Sequence, residues 1–124
     1  MLNFNLPTND DGTEFRTFKP ISENNFVVNF ETRDSDSRSL ESAVALSSVH
    51  LTSNATRVLG KLQHVLTDTV ETKTVAKGQN MAKIEIVISD DATDAERDDL
   101  ANMFIGLAEQ VKLNITQLDP IYMG

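Results

Sequence analysis

The hydrophobic period of residues 81–111 changes once, and abruptly. Met81-Ala-Lys-Ile-Glu-Ile-Val-Ile-Ser89 alternates with period two, so Ala82, Ile84, Ile86 and Ile88 share one side of a strand. After Asp90-Asp-Ala-Thr-Asp-Ala-Glu-Arg97 the apolar positions become Leu100, Met103, Phe104, Leu107 and Val111, whose steps of three and four make one helical stripe. A chain that reads as strands up to this junction and as helix beyond it has an α+β arrangement. Thr93 and Glu96 have the spacing of a capping box, and Asp94 adds negative charge to the first turn, which places the helix start.

Upstream, Leu2, Phe4 and Leu6 alternate with Asn3 and Asn5 as a short strand, and Pro7-Thr-Asn-Asp-Asp-Gly12 is a turn cluster. Thr13 to Phe18 returns as a second strand, which Lys19-Pro20 is expected to end. Asn25 to Glu31 is a third strand with Phe26, Val28 and Phe30 on one face, followed by a polar loop over 32–39. Residues 39–48 contain the Ala, Leu and Glu that favour helix. Strand over Leu40 to Leu51 is preferred, because Thr52 to Thr56 then makes a hairpin loop into a strand from Val58 to Thr67. Pairing Leu51 with Arg57 across that loop sets His50 opposite Val58 and His64 opposite Val44. Thr67 to Asn80 reads as a long mobile connection carrying Glu71, Lys73, Lys77 and Gly78. Leu113 to Leu118 reads as a second short helix stopped by Asp119-Pro120. The expected organisation is one domain over 1–124, with a hairpin over 1–20, sheet strands over 25–88 and helices over 93–118.

Composition narrows the function classes. Without Cys there is no disulfide, no thiolate metal site and no Cys nucleophile. The first residues lack a basic n-region and a long apolar stretch, and no apolar run approaches a membrane span, so a soluble, cytoplasmic origin is expected. A net charge of −8 opposes generic nucleic-acid binding, which rests on Lys and Arg releasing counterions. The acids, however, crowd 10–11, 34–36 and 90–99, whereas Arg57, Lys61, Lys73, Lys77 and Lys83 fall mid-chain, so a local basic face fits within an acidic whole. His50 and His64 are far apart and lack a third ligand. Asp90, Asp91, Asp94 and Glu96 miss the glycine and spacing of a calcium loop and are read as helix capping. Asn54-Ala-Thr56 and Asn114-Ile-Thr116 match the glycosylation tripeptide by chance. With no nucleophile motif and no Gly-rich phosphate loop, the chain is expected to be no enzyme and to need no metal or cofactor.

The sheet is also too wide for its own helices. Five or more strands at ~4.8 Å each span roughly 24 Å, whereas a helix is only ~10–12 Å across. The uncovered apolar face calls for a second chain, most simply a twofold dimer in which each copy lends its helices to the other's sheet. Leu100, Met103, Phe104 and Leu107, with Ile84 and Ile86 of the last strand, are the expected dimer interface. The competing arrangement is a monomer whose N-terminal hairpin folds over the gap.

With this order of elements in place, the chain resembles the coat proteins of single-stranded RNA bacteriophages, the levivirus family. Ser89-Asp-Asp-Ala-Thr-Asp-Ala-Glu-Arg97 looks like that family's strand-to-helix junction, and Ile115-Thr-Gln-Leu-Asp-Pro-Ile-Tyr122 looks like its Gln-Leu-Asn-Pro-x-Tyr ending. The likeness covers most of the chain by element order and about the last third by residues. It implies an intertwined dimer with a continuous sheet facing the particle interior and helices outside. It further implies an icosahedral shell around genomic RNA, assembled in the bacterial cytoplasm, and binding of an RNA stem-loop that represses translation.

On this reading the face opposite the helices carries Ser47, Lys61, Gln63, Lys83 and Glu85, with Arg57 nearby. Lys61 and Lys83 would meet phosphates, Ser47 and Gln63 would bond unpaired base edges, and Arg57 is a further RNA-binding candidate. Lys61 and Ser47 fit the family's pattern of a cation beside a hydroxyl. Ala45, Leu59 and Met81 depart from it, standing where a hydroxyl, a hydroxyl and an aromatic are frequent. Lys73, Lys77 and Gly78 would sit in an inter-subunit loop around the shell axes. The alternative from another class is a small dimeric ligand-binding or adaptor domain with no RNA role.

Overall fold

The computed structural model describes residues 3–24, 26–32 and 40–117. Leu2, the polar loop over 33–39 and the tail from Leu118 lie outside the described residues. The chain falls into two compact units, residues 1–87 and 88–124.

The first unit is a six-stranded sheet in sequence order: β1 (Phe4–Pro7), β2 (Phe15–Asn24), β3 (Val27–Glu31), β4 (Ala43–Leu51), β5 (Ala55–Val70) and β6 (Lys73–Ser89). The Pro7–Gly12 turn forms as its composition requires. Asn9 Oδ1 accepts from the backbone N–H groups of Thr13 and Glu14, each at 3.0 Å, and Gly12 takes φ 71. The strand preference for β4 holds, with the element beginning at Ala43.

Three expectations are corrected within this unit. Pro20 does not end β2, which continues to Asn24 after a register shift between Pro20 and Ser22. A bulge is one of the few places where a sheet tolerates a residue without an N–H. The β4–β5 loop is tighter than expected: Leu51 pairs with Ala55, His50 with Thr56 and Val44 with Leu62. Because the displacement is two residues, every side chain keeps its predicted face. Thr67 to Asn80 is no loose connection. Glu71 and Thr72 alone separate β5 from β6, at φ 51 and 74, and the flanking segments are the arms of a long hairpin. Positive φ at both central residues matches the twist of a two-residue hairpin, although Asn and Gly usually supply it. Lys73, Lys77 and Gly78 therefore lie in strand β6, not in a loop.

The two faces of the sheet differ. Phe18, Phe30 and Val44 form the buried cluster, with Leu6, Val28 and Leu62 packed against it, so the N-terminal hairpin covers one end of one face. The rest of that face is an open apolar trough of about 580 Å³, lined by Phe26, Leu46, Val58, Gly60, Ile84 and Ile86 among others. Beside the core, Ser42 knots three strands together. Its N–H donates to Thr32 Oγ1 at 2.9 Å, its carbonyl accepts from the Thr32 N–H at 2.9 Å, and its Oγ accepts from the Val65 N–H at 3.1 Å. The Thr32 hydroxyl also donates to the buried Glu41 carboxylate.

The second unit is dominated by one helix, α1 (Asp94–Gln117). The capping box forms: the Thr93 N–H donates to Glu96 Oε1 at 3.0 Å, and the Glu96 N–H donates to Thr93 Oγ1 at 3.2 Å. Arg97 bonds the Ala92 carbonyl at 2.7 Å and pairs with Asp94. The expected second helix from Leu113 is the continuation of α1. No proline or glycine interrupts residues 107–117, so nothing breaks the backbone ladder there.

Candidate nucleic-acid interface

Strand register decides which side chains stand together. Residues directly opposite in an antiparallel pair share a face. One row across the sheet is Lys19, Glu31, Ala43 and Gln63. The next is Ser22, Asn29, Ala45 and Lys61, and the third joins Val27, Ser47 and Leu59. Val49 and Arg57 follow. All lie on the face opposite the trough, because Val28, Phe30, Val44, Leu46, Gly60 and Leu62 alternate with them.

Strand β6 joins this face through Gln79 and Met81. Gln63 donates to Gln79, Gln79 Nε2 contacts Met81 Sδ at 3.9 Å, and Met81 lines the same depression as Ala45 and Lys61. Alternation then carries Lys83 and Glu85 onto the same side. The predicted set of Ser47, Arg57, Lys61, Gln63 and Lys83 is thus brought to one face.

The members are not equivalent. Lys61 is exposed and free to present its ammonium, whereas Ser47, Arg57 and Gln63 are half-buried. Lys83 lies 3.8 Å from Glu85, so part of its charge is answered within the chain. Arg57 Nε is buried and finds no hydrogen-bond acceptor among the described residues. Lys73 and Lys77 stand on the exposed hairpin arm beyond this patch. His50 faces Thr56, and His64 lines a separate depression with Leu6, Arg16 and Phe18. Among the described residues no three acids or histidines gather as a metal site.

Asn29, Ser22 and Glu31 were not anticipated. Asn29 Nδ2 donates to Ser22 Oγ at 3.1 Å, in the row that ends at Lys61. Their alignment depends on β3 pairing with β4 in a register that no local pattern states. The alternation Ala43-x-Ala45-x-Ser47 was the available signal, since small residues down one face of a central strand leave room above it.

No protein-family profile matches the sequence, and no curated protein matches it by sequence. Solved structures do match. The virus-like particle of Beihai levi-like virus 21 superposes with a TM-score of 0.79 at 21% identity, covering 97% of this chain and 96% of that one. The virus-like particle of bacteriophage NT-214 gives 0.83 at 11% identity over 98% of both chains. The capsid protein of bacteriophage GA gives 0.77 at 21% identity over 97% of this chain and 96% of that one. The chain has the fold of levi-like virus and bacteriophage capsid proteins.

Proposed function

We propose that this chain is the coat protein of a levi-like RNA bacteriophage, a structural protein and not an enzyme. Two copies pair, the pairs close into an icosahedral shell, and the Lys61 face holds the packaged single-stranded genome inside the virion. The observation that carries this reading is a double vacancy in a fold matched end to end by capsid proteins. The trough leaves Phe26 67% exposed, and the helix leaves Met103 66% and Leu107 62% exposed. Strand β6 ends the sheet and offers a 17-residue edge. Exposed apolar patches and long free edges are liabilities unless another chain takes them up. A second copy answers all three, with edges joined into a continuous sheet and helices exchanged over the troughs. Full burial of side chains such as Leu107 contributes roughly 1.5–3 kcal/mol each.

Asp90, Asp91, Asp94, Asp98 and Asp99 cluster at the start of α1, whereas Lys61, Arg57 and Lys83 share one face of the sheet. Recognition of an RNA stem-loop by this face, with repression of translation, completes the proposal. The test is expression in bacteria followed by size-exclusion chromatography, negative-stain microscopy and nuclease digestion. Uniform particles holding protected RNA support the reading. A monomer free of nucleic acid at high concentration removes it, and a dimer without particles or RNA points to an adaptor.

A further inference from the structure

We propose that Met103 is an oxidation switch on pairing: its conversion to the sulfoxide by a peroxide keeps a copy solitary, and pairing in turn shields it. The switch rests on the paired coat-protein reading and adds chemical control of the surface that pairs.

Two methionines with the same access to solvent stand in opposite surroundings. Met81 is 71% exposed and Met103 66%. A thioether carries no titratable proton, so access decides how fast each is oxidised. Met103 belongs to the helical stripe, three residues after Leu100 and four before Leu107, which a second copy's trough would cover. The trough meets it with Phe26, Leu46, Val58, Ile84 and Ile86, hydrocarbon side chains that donate no hydrogen bond. Met81 stands on the sheet face opposite the trough, with the Gln79 amide nitrogen 3.9 Å from its sulfur.

The reaction needs only hydrogen peroxide. The sulfur gives an electron pair to one peroxide oxygen, the O–O bond breaks as the S–O bond forms, and the other oxygen leaves as water. Sulfur loses two electrons and the peroxide gains two. An apolar side chain thereby acquires a polar, chiral acceptor. Burying that oxygen against a wall without donors should weaken pairing roughly tenfold or more for each oxidised copy. A twofold pair contains two such sites. At Met81 the Gln79 amide is at hand to donate to the new oxygen, and pairing through the trough leaves that face uncovered. A methionine sulfoxide reductase supplied with a dithiol reverses the step, giving thioether, disulfide and water.

The test uses the full chain, expressed in bacteria and released from its particles in urea. It is oxidised there with hydrogen peroxide, freed of peroxide and dialysed back into buffer. Peptide mass spectrometry reads each methionine, and circular dichroism reads refolding. The oxidised wild type should refold yet recover particles at roughly a tenth of the untreated yield or less. Met103→Leu, which conserves volume, should recover equally with and without peroxide. Met81→Leu should behave as the wild type, and reductase with dithiothreitol should restore the oxidised wild type. Peroxide added to intact particles should oxidise Met103 far more slowly than in the released chain. Full recovery by the oxidised wild type, an equal loss in oxidised Met103→Leu, loss of native circular dichroism on oxidation, or unshielded Met103 in particles overturns the switch and leaves the coat reading standing. If the untreated chain never forms pairs or particles, both fall.

Discussion

Leu51 lies directly opposite Ala55, and Asn54 between them sits at φ 58. That left-handed residue closes the β4–β5 hairpin, and the register it sets places Lys61 beside Ala45 and Ser47 beside Leu59. Asparagine tolerates this conformation better than residues with an ordinary Cβ environment. Asn54→Ala should therefore cost about 1 kcal/mol in chemical denaturation, while Asn54→Gly should be neutral or slightly stabilising.

The Glu71-Thr72 turn makes the opposite case. A β-branched residue at φ 74 is unfavourable. Replacing the pair with Asn-Gly supplies the residues that a two-residue hairpin prefers and should add about 1 kcal/mol of stability. Urea unfolding of the double variant against the wild type checks this.

Phe26→Asp and Leu107→Asp separate folding from assembly. Both side chains are more than half exposed in the single chain, so its secondary structure should persist. Particles should vanish from electron micrographs, and the protein should elute as a smaller species. Phe104, which is half-buried, should lose both stability and assembly when changed to Ala. A Leu107→Asp variant that still forms complete shells would contradict the exchange of helices.

Lys61→Ala should weaken RNA binding across all sequences and lower the slope of log affinity against log salt by about one. Arg57→Ala should act in the same direction. Lys83→Ala should have a smaller effect, because Glu85 at 3.8 Å already answers that charge. Anisotropy titrations over a range of salt concentrations measure all three.

The helix start should weaken in acid. The Thr93 backbone N–H, and then its hydroxyl, hold the Glu96 carboxyl below its ordinary value of 4.5. A carboxylate with a lowered folded pKa stabilises the native state above the unfolded pKa, and that contribution disappears as pH falls through the folded value. Glu96→Gln should flatten this part of the melting-temperature profile below pH 4.5. Thr93→Ala should lower the melting temperature at neutral pH as well, since it removes a partner of the Glu96 N–H.

What was legible in the sequence was local. The shift of period at Ser89 and the Thr93–Glu96 box depend on neighbours a few residues apart, and both stand in the structure. The β4–β5 register was missed because a loop's length turns on one backbone torsion at Asn54. The long hairpin was missed because Glu-Thr carries no turn signature, although Thr67, Thr69, Val70, Thr74 and Val75 all favour strand. For the candidate interface, Lys61, Ser47 and Gln63 could be grouped by parity alone. Glu31 and Asn29 could not, because their places in the rows that end at Gln63 and Lys61 are created by two successive strand pairings.

On the proposed pairing, the open trough from Phe26 to Ile86 makes synthesis rate a determinant of fate. A solitary copy then presents grease to every chaperone and protease it meets until it collides with a sibling. Collision frequency rises with the square of abundance, whereas degradation rises in simple proportion. Slow translation thus favours turnover, and a burst of translation favours survival.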